Sequence, residues 1–542
     1  MTRAWRIALL GLLGLLAACS PPDRGPRFRP AGQTAPRRGG RLRLSIAGSV
    51  QSLDPTVAYD ELSFYALHAL FDTLVDYAPD SLAVIPRLAA RWEISADGTR
   101  YTFWLRPGAA FHDGAPITAA HVKLGLERAL KTPGSPFAAY LTDLAGAQAV
   151  IDRTTADCAG ITAAGDRLDL QLVRRNPGFL AMLAMPFATP QRGERSPDQR
   201  RTQPDATGPY ELARWDEGNE LVLRRNPHAA DPTRGYLDEI VIRENVPRDL
   251  QFQLFERGEL DTADKLAAPD YLYVITEPAW QPYLHRVTTL NTLGSRINVT
   301  APILADRRVR QALNYALDKA HTARLLSGTT TPSHGMLPPG MLGRDPDLAP
   351  YPHDVARARA LLVEAGYPTG VDLDYVTVQD EETEKLAASL QADLAEAGIR
   401  LHLRVMSLEA WQAAAAQPDG PPLSFGSWIA DFPDPINFLD AKFHSKAIRP
   451  ADSNNDSFYA NPALDRLLDA AHDELEPDRR AALYRRAERI LYDDAPWIWD
   501  YHRVETEITQ PYVRGPVSHP IWIRDYTRTW LDLGPDGQPV PR

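Results

Sequence analysis

The sequence predicts an α/β protein, and two observations predict it: a strand–helix–strand unit over 371–405 and a run of alternating strands with Asp-Gly turns upstream. Within the unit, 371–378 reads as a strand. Residues 383–397 carry Leu386, Leu390 and Leu394 at helical spacing and close on Gly398, and 399–405 alternates again. Such a unit crosses over right-handed and leaves its strands parallel. Upstream, 41–46 alternates as a half-buried strand, and 62–74 has a helical apolar period. Residues 91–94 and 101–106 flank Ala96-Asp97-Gly98 as a hairpin, and Thr118 caps a helix to about Leu130. Residues 168–172 alternate, and 210–212 pairs with 221–223 across a turn. Val309, Leu313, Ala316, Leu317 and Ala320 form one helical stripe, Asp354 caps a helix that Gly366 and Pro368 stop, and two helices follow over 462–475 and 478–493.

A chain of 542 residues is too long for a single core and implies roughly two to four domains. With 44% hydrophobic and 24% charged residues it has an ordinary globular composition. Its net charge of −11 is scattered, which excludes the basic face that nucleic acid would require.

At the N-terminus, Arg3 and Arg6 precede an apolar run over 7–16 and then Ala17-Ala18-Cys19, the layout of a secretory signal peptide over 1–18. The run is shorter than the roughly 20 residues a membrane span needs. Leu16-Ala17-Ala18-Cys19 resembles the bacterial lipobox, which makes Cys19 the expected lipidation site and leaves Cys158 without a disulfide partner. Residues 20–40 hold five prolines, four glycines and five arginines, so 19–40 is expected to be a lipidated cysteine and flexible tether.

The stretch 424–435 (SFGSWIADFPDP) opens as an apolar strand and breaks at Pro433 and Pro435, with carboxylates at Asp431, Asp434 and, beyond, Asp440. Locally this is either a strand end closed by Asx-turns or a ligand site at the carboxyl edge of a sheet. Neither a Gly-x-Ser-x-Gly elbow nor a His-Glu-x-x-His helix occurs, so a secreted hydrolase would have to rest on the paired carboxylates alone.

Several motifs occur in a characteristic order. They are Gln51-Ser52-Leu53-Asp54-Pro55, the hairpin around Trp92-Glu93-Ile94 through Phe111-His112-Asp113-Gly114, Thr207-Gly208-Pro209-Tyr210, Arg225-Asn226-Pro227, the segment 306–313 and the segment 361–368. In these the chain resembles the family 5 extracellular solute-binding proteins of bacterial ABC importers, the oligopeptide- and dipeptide-binding class. The resemblance implies a two-lobed periplasmic-binding-protein-like fold (type II, cluster C) with three interleaved domains and a hinge. Domain I would comprise 41–79, 203–290 and 509–542, domain II 80–202, and domain III 291–508. It implies a lipid-anchored monomer in the periplasm or cell envelope that captures an oligopeptide or dipeptide and delivers it to a permease and ATPase. No cofactor, metal or catalytic residue is expected. By the same resemblance Asp431 pairs with the ligand's ammonium group, Ser427, Trp428 and Ile429 offer backbone to an extended peptide, Tyr59, Asp60 and Glu61 contact it from the facing lobe, and Phe137 lines the cleft. No residue is assigned to the ligand's carboxyl end. A nickel-, haem- or sugar-binding member of the family, or an envelope sensor, stays open as an alternative.

Overall fold

The computed structural model describes residues 25–193, 195–450 and 453–542. The expected signal peptide and the lipidation site Cys19 lie outside them. The described chain forms two lobes. One holds two four-stranded sheets, and the other is built on a mixed sheet of eight strands. Among the described residues no helix is long and apolar enough to cross a membrane.

In the first lobe, Arg41–Ser45 buries Leu42 and Leu44 through strict alternation and runs parallel to Glu239–Arg243, which continues into the antiparallel strands Glu220–Arg225 and Tyr210–Asp216. Its core joins residues from three distant stretches, among them Leu44, Leu67, Leu223, Ile242 and Leu531. The hairpin Ala89–Ile94 with Arg100–Leu105 forms as its Asp-Gly turn predicts and extends through Arg167–Gln171 to Ile161–Ala164. The helix Ala119–Lys131 starts at Thr118 and covers that sheet with Val122, Leu126 and Leu130.

In the second lobe, Val371–Val378 and Ile399–Met406 are parallel neighbours joined by the helix Glu381–Glu396. The helix begins two residues before Thr383 because the Asp380 carboxylate accepts the N–H groups of Glu382 and Thr383. Leu423–Ile429 follows in the same sheet. It pairs antiparallel with Asn291–Ile297 along its whole length, but parallel with Val371–Val378 only at Leu423 and Ser424. The long strand Trp497–Thr509 pairs with Asn291–Ile297 and then with Leu284–Thr288 and Thr262–Asp264. The Arg43–Asp261 ion pair joins that end of the sheet to the first lobe.

Two expectations are corrected. The stripe from Val309 to Ala320 is two helices, Arg307–Ala316 and Lys319–Leu325, because the Asp318 side chain accepts from the Ala320 N–H and starts a new one. The segment expected as a free tether is docked from Phe28 onward. Phe28–Arg29 pairs with Val540–Pro541, the Phe28 ring meets Tyr512 edge-on, and the N–H groups of Gly32 and Gln33 donate to the Asp532 carboxylate. Low apolar content does not leave a chain free when its backbone donors find a buried acceptor.

Candidate ligand cleft

Between the lobes lies a cleft of about 400 Å³, within the range of small-molecule sites. The end of Leu423–Ile429 forms one wall. Ala430 donates its N–H to Leu290 O, and Asn298 donates to Pro422 O. Backbone groups alternate sides along a strand, so the N–H and C=O of even-numbered residues here face Asn291–Ile297, and those of Ser427 and Ile429 face the other way. On that side Val371–Val378 has already diverged, so the strand edge at Ser427 and Ile429 is unpaired and opens to the cleft they line. Ile429 is 62% exposed.

Just past this edge the chain crosses between lobes. Phe432 is buried in the first lobe's core against Tyr140, whereas Phe438 and Leu439 are buried in the second lobe. Asp431 therefore lies at the junction. Its carboxylate accepts from the Tyr59 hydroxyl, from the Tyr140 hydroxyl at 2.7 Å and from Asn437 Nδ2 at 2.9 Å, while its N–H donates to Asn437 Oδ1 at 2.9 Å. Tyr59 and Tyr140 come from the first lobe and Asn437 from the second. None of the three donors is a cation. Burial and the neighbouring Asp431 charge push both phenol pKa values up, so each tyrosine stays a donor.

Three residues along, Asp434 differs. Arg480 grips it with two bonds of 2.6 and 2.7 Å, and its side chain also accepts from the Ile436 N–H. It fixes the turn and does not face the cleft.

The other expected residues are distributed as follows. Glu61 lines the cleft, where it holds Lys265 at 2.5 Å and accepts from Tyr65. Burial opposes its ionisation, but Lys265 outweighs that and keeps its pKa low. Asp60 is the N-cap of the helix Glu61–Leu70, its carboxylate accepting from the Ser63 N–H at 2.9 Å, so it serves the helix rather than the cleft. Trp428 is half-buried, with its indole N–H on Asn437 O at 2.7 Å and the Lys442 ammonium 4.9 Å from its ring centre. Phe137 does not line the cleft. It is fully buried and meets Tyr59 edge-on at 5.6 Å, bracing that ring from behind.

Sequence reasoning missed Tyr140, Asn437, Lys265 and Arg503. Tyr140 lies three residues after Phe137 in a helical turn, a spacing that could have linked them; a lone lysine in a loop carries no such signal. Backbone strain also marks the cleft. Lys265, Ser327 and Ile523 line it with φ of 45°, 53° and 61°, and a β-branched residue in that region is a true outlier.

The family model for bacterial extracellular solute-binding proteins, family 5, matches residues 83–449. The chain belongs to this family. Among similar proteins, the glutathione-binding protein of Pectobacterium atrosepticum is 29% identical over 477 residues, covering 84% of this chain and 87% of that protein. The di/tripeptide-binding protein 2 of Pseudomonas aeruginosa is 27% identical, covering 91% and 95%. Among solved structures, the clavulanic acid biosynthesis oligopeptide binding protein 2 superposes with a TM-score of 0.83 at 25% identity, covering 94% of this chain and 99% of that one. The two-lobed architecture is thus the family 5 solute-binding fold.

Proposed function

We propose that this family 5 protein is the peptide receptor of an ABC importer: it closes on a short peptide with a free amino terminus and passes it to a permease and its ATPase. Lipidation at Cys19 would hold it on the cell envelope, and the lobes would move about the strands near Thr262–Asp264 and Trp497–Thr509, between domains divided as the resemblance implies. One observation carries the reading. An ionisable carboxylate, Asp431, with three neutral donors and no cation, stands beside an unpaired strand edge at Ser427 and Ile429. An extended peptide can add to that edge with its backbone, and its ammonium group then supplies the missing charge. Backbone recognition fits relatives named for glutathione and for di- and tripeptides.

The test is calorimetry with Ala-Ala-Ala. Asp431→Asn keeps the shape and removes the charge, so affinity should fall by about 2–5 kcal/mol with the thermal transition unchanged. N-acetylated Ala-Ala-Ala should bind the parent protein as poorly as the free peptide binds the variant. Equal affinity of the two proteins for Ala-Ala-Ala would remove the assignment.

A further inference from the structure

The charges inside the cleft do not balance without a ligand, and the imbalance says which peptides fit. With Asp431 beside them, the carboxylates lining the cleft outnumber its cations. Two of the three cations are already engaged: Lys265 donates to Glu61 at 2.5 Å, and Arg503 forms an ion pair with Glu382. The third, Arg248, is exposed at the mouth, where water screens it. Among the carboxylates, Asp380 is satisfied by two N–H groups of the helix it caps. Glu505 is different. It lies two residues beyond Arg503 on the same face of Trp497–Thr509, lines the cleft and is partly buried; its backbone pairs with Val287, yet among the described residues its carboxylate has no ion-pair or hydrogen-bond partner. The Arg503 charge acts on it from a distance, but that guanidinium is directed at Glu382 and, at 3.4 Å, the Tyr501 hydroxyl.

A carboxylate closed into a cleft without a partner loses hydration and recovers nothing. A zwitterionic peptide brings one ammonium group, which Asp431 takes, and leaves Glu505 bare. We infer that Glu505 is a second cation subsite, and that the cleft selects peptides carrying a lysine or arginine side chain in addition to the free amino terminus. This rests on the peptide reading above. The aliphatic stem of such a side chain would lie along Leu326, Ile521 and Ile523, which share the same cavity.

The experiment compares Ala-Lys-Ala, Ala-norleucine-Ala and Ala-Glu-Ala on the full mature chain by calorimetry. The norleucine peptide matches the lysine stem and lacks only its charge. Ala-Lys-Ala should bind roughly tenfold or more tighter than the norleucine peptide, with Ala-Glu-Ala weakest. In Glu505→Gln the lysine preference should collapse while affinity for the norleucine peptide stays as it was, which also reports that the variant is folded. Glu505→Lys should invert the order in favour of Ala-Glu-Ala. Equal binding of the lysine and norleucine peptides, or a preference that survives Glu505→Gln, overturns the subsite and leaves the peptide reading standing. Failure of all three peptides to bind overturns both.

Discussion

Asp431 and Asp434 lie three residues apart in one loop and have opposite surroundings. Asp434 is buried, with side chains of 9% and 5% exposure in its bidentate pair with Arg480. Asp431 is half-buried and accepts only hydroxyl and amide donors. A carboxylate that carries its own cation is complete and can only shape the chain. One that is well hydrogen-bonded but uncompensated remains able to receive a charge. Between these two, the cation, not sequence position, separates the carboxylate that fixes the turn from the one proposed to meet the ligand.

The sharpest way to break this contrast is to remove the cation from the complete pair. Arg480→Leu would leave the Asp434 charge buried and unpaired, at a loss of about 3–5 kcal/mol in stability. Urea unfolding measures it. If the folded protein loses peptide affinity but no stability, Asp434 belongs to the ligand site and the contrast fails. Next in size is Asp431→Asn, with about 2–5 kcal/mol in binding and none in stability. The two variants should be mirror images, one affecting the fold and the other the ligand.

A third carboxylate sharpens the rule. Glu507 is 2% exposed, like Asp434, and has no cation of its own, like Asp431; the nearby Arg524 is paired with Asp264. Burial is the largest influence on it and pushes its pKa from an ordinary 4.5 up to about 7, against the hydrogen bond from the Tyr526 hydroxyl. It keeps its proton where Asp434 keeps its arginine. The folded state thus binds a proton more readily than the unfolded one. The stabilisation is fully present below about pH 4.5 and is lost as pH rises through about 7, on the order of 3 kcal/mol in all. Glu507→Gln should flatten that part of the stability–pH curve. A wild-type curve already flat between pH 5 and 8 would sink the assignment.

Much of this was legible in the sequence because it is local. Val371–Val378 has the bounds its sequence predicts, and the hairpin at Asp97-Gly98 follows its turn chemistry. The place of Asp431 at a strand end could be read from the prolines that follow it. What could not be read is what comes from far along the chain. Asp532 pins Gly32 and Gln33 across 500 and 499 residues, and Tyr140 reaches Asp431 across 291. Asp318 is a different case, since a capping aspartate sits inside an apolar stripe whose period runs straight past it. The family resemblance implies Phe137 in the cleft, whereas its own packing puts it one layer behind.

The smallest expected effect tests whether the hydroxyl donors help or hinder the ligand. A carboxylate has about four acceptor positions, and Tyr59, Tyr140 and Asn437 occupy three of those on Asp431. One remains for an ammonium group, so the donors and the ligand can coexist, and the donors then hold the carboxylate aimed at its partner. Tyr140→Phe should accordingly weaken Ala-Ala-Ala by about 1 kcal/mol, close to a single hydrogen bond, and leave stability nearly unchanged. Tyr59→Phe should do less, because that ring is 47% exposed and water can replace its hydroxyl. Tighter binding by Tyr140→Phe would mean that the tyrosine competes with the ligand for Asp431. The hydroxyls would then be a stand-in for the absent cation, and the uncompensated state of Asp431 would be guarded, not merely left open.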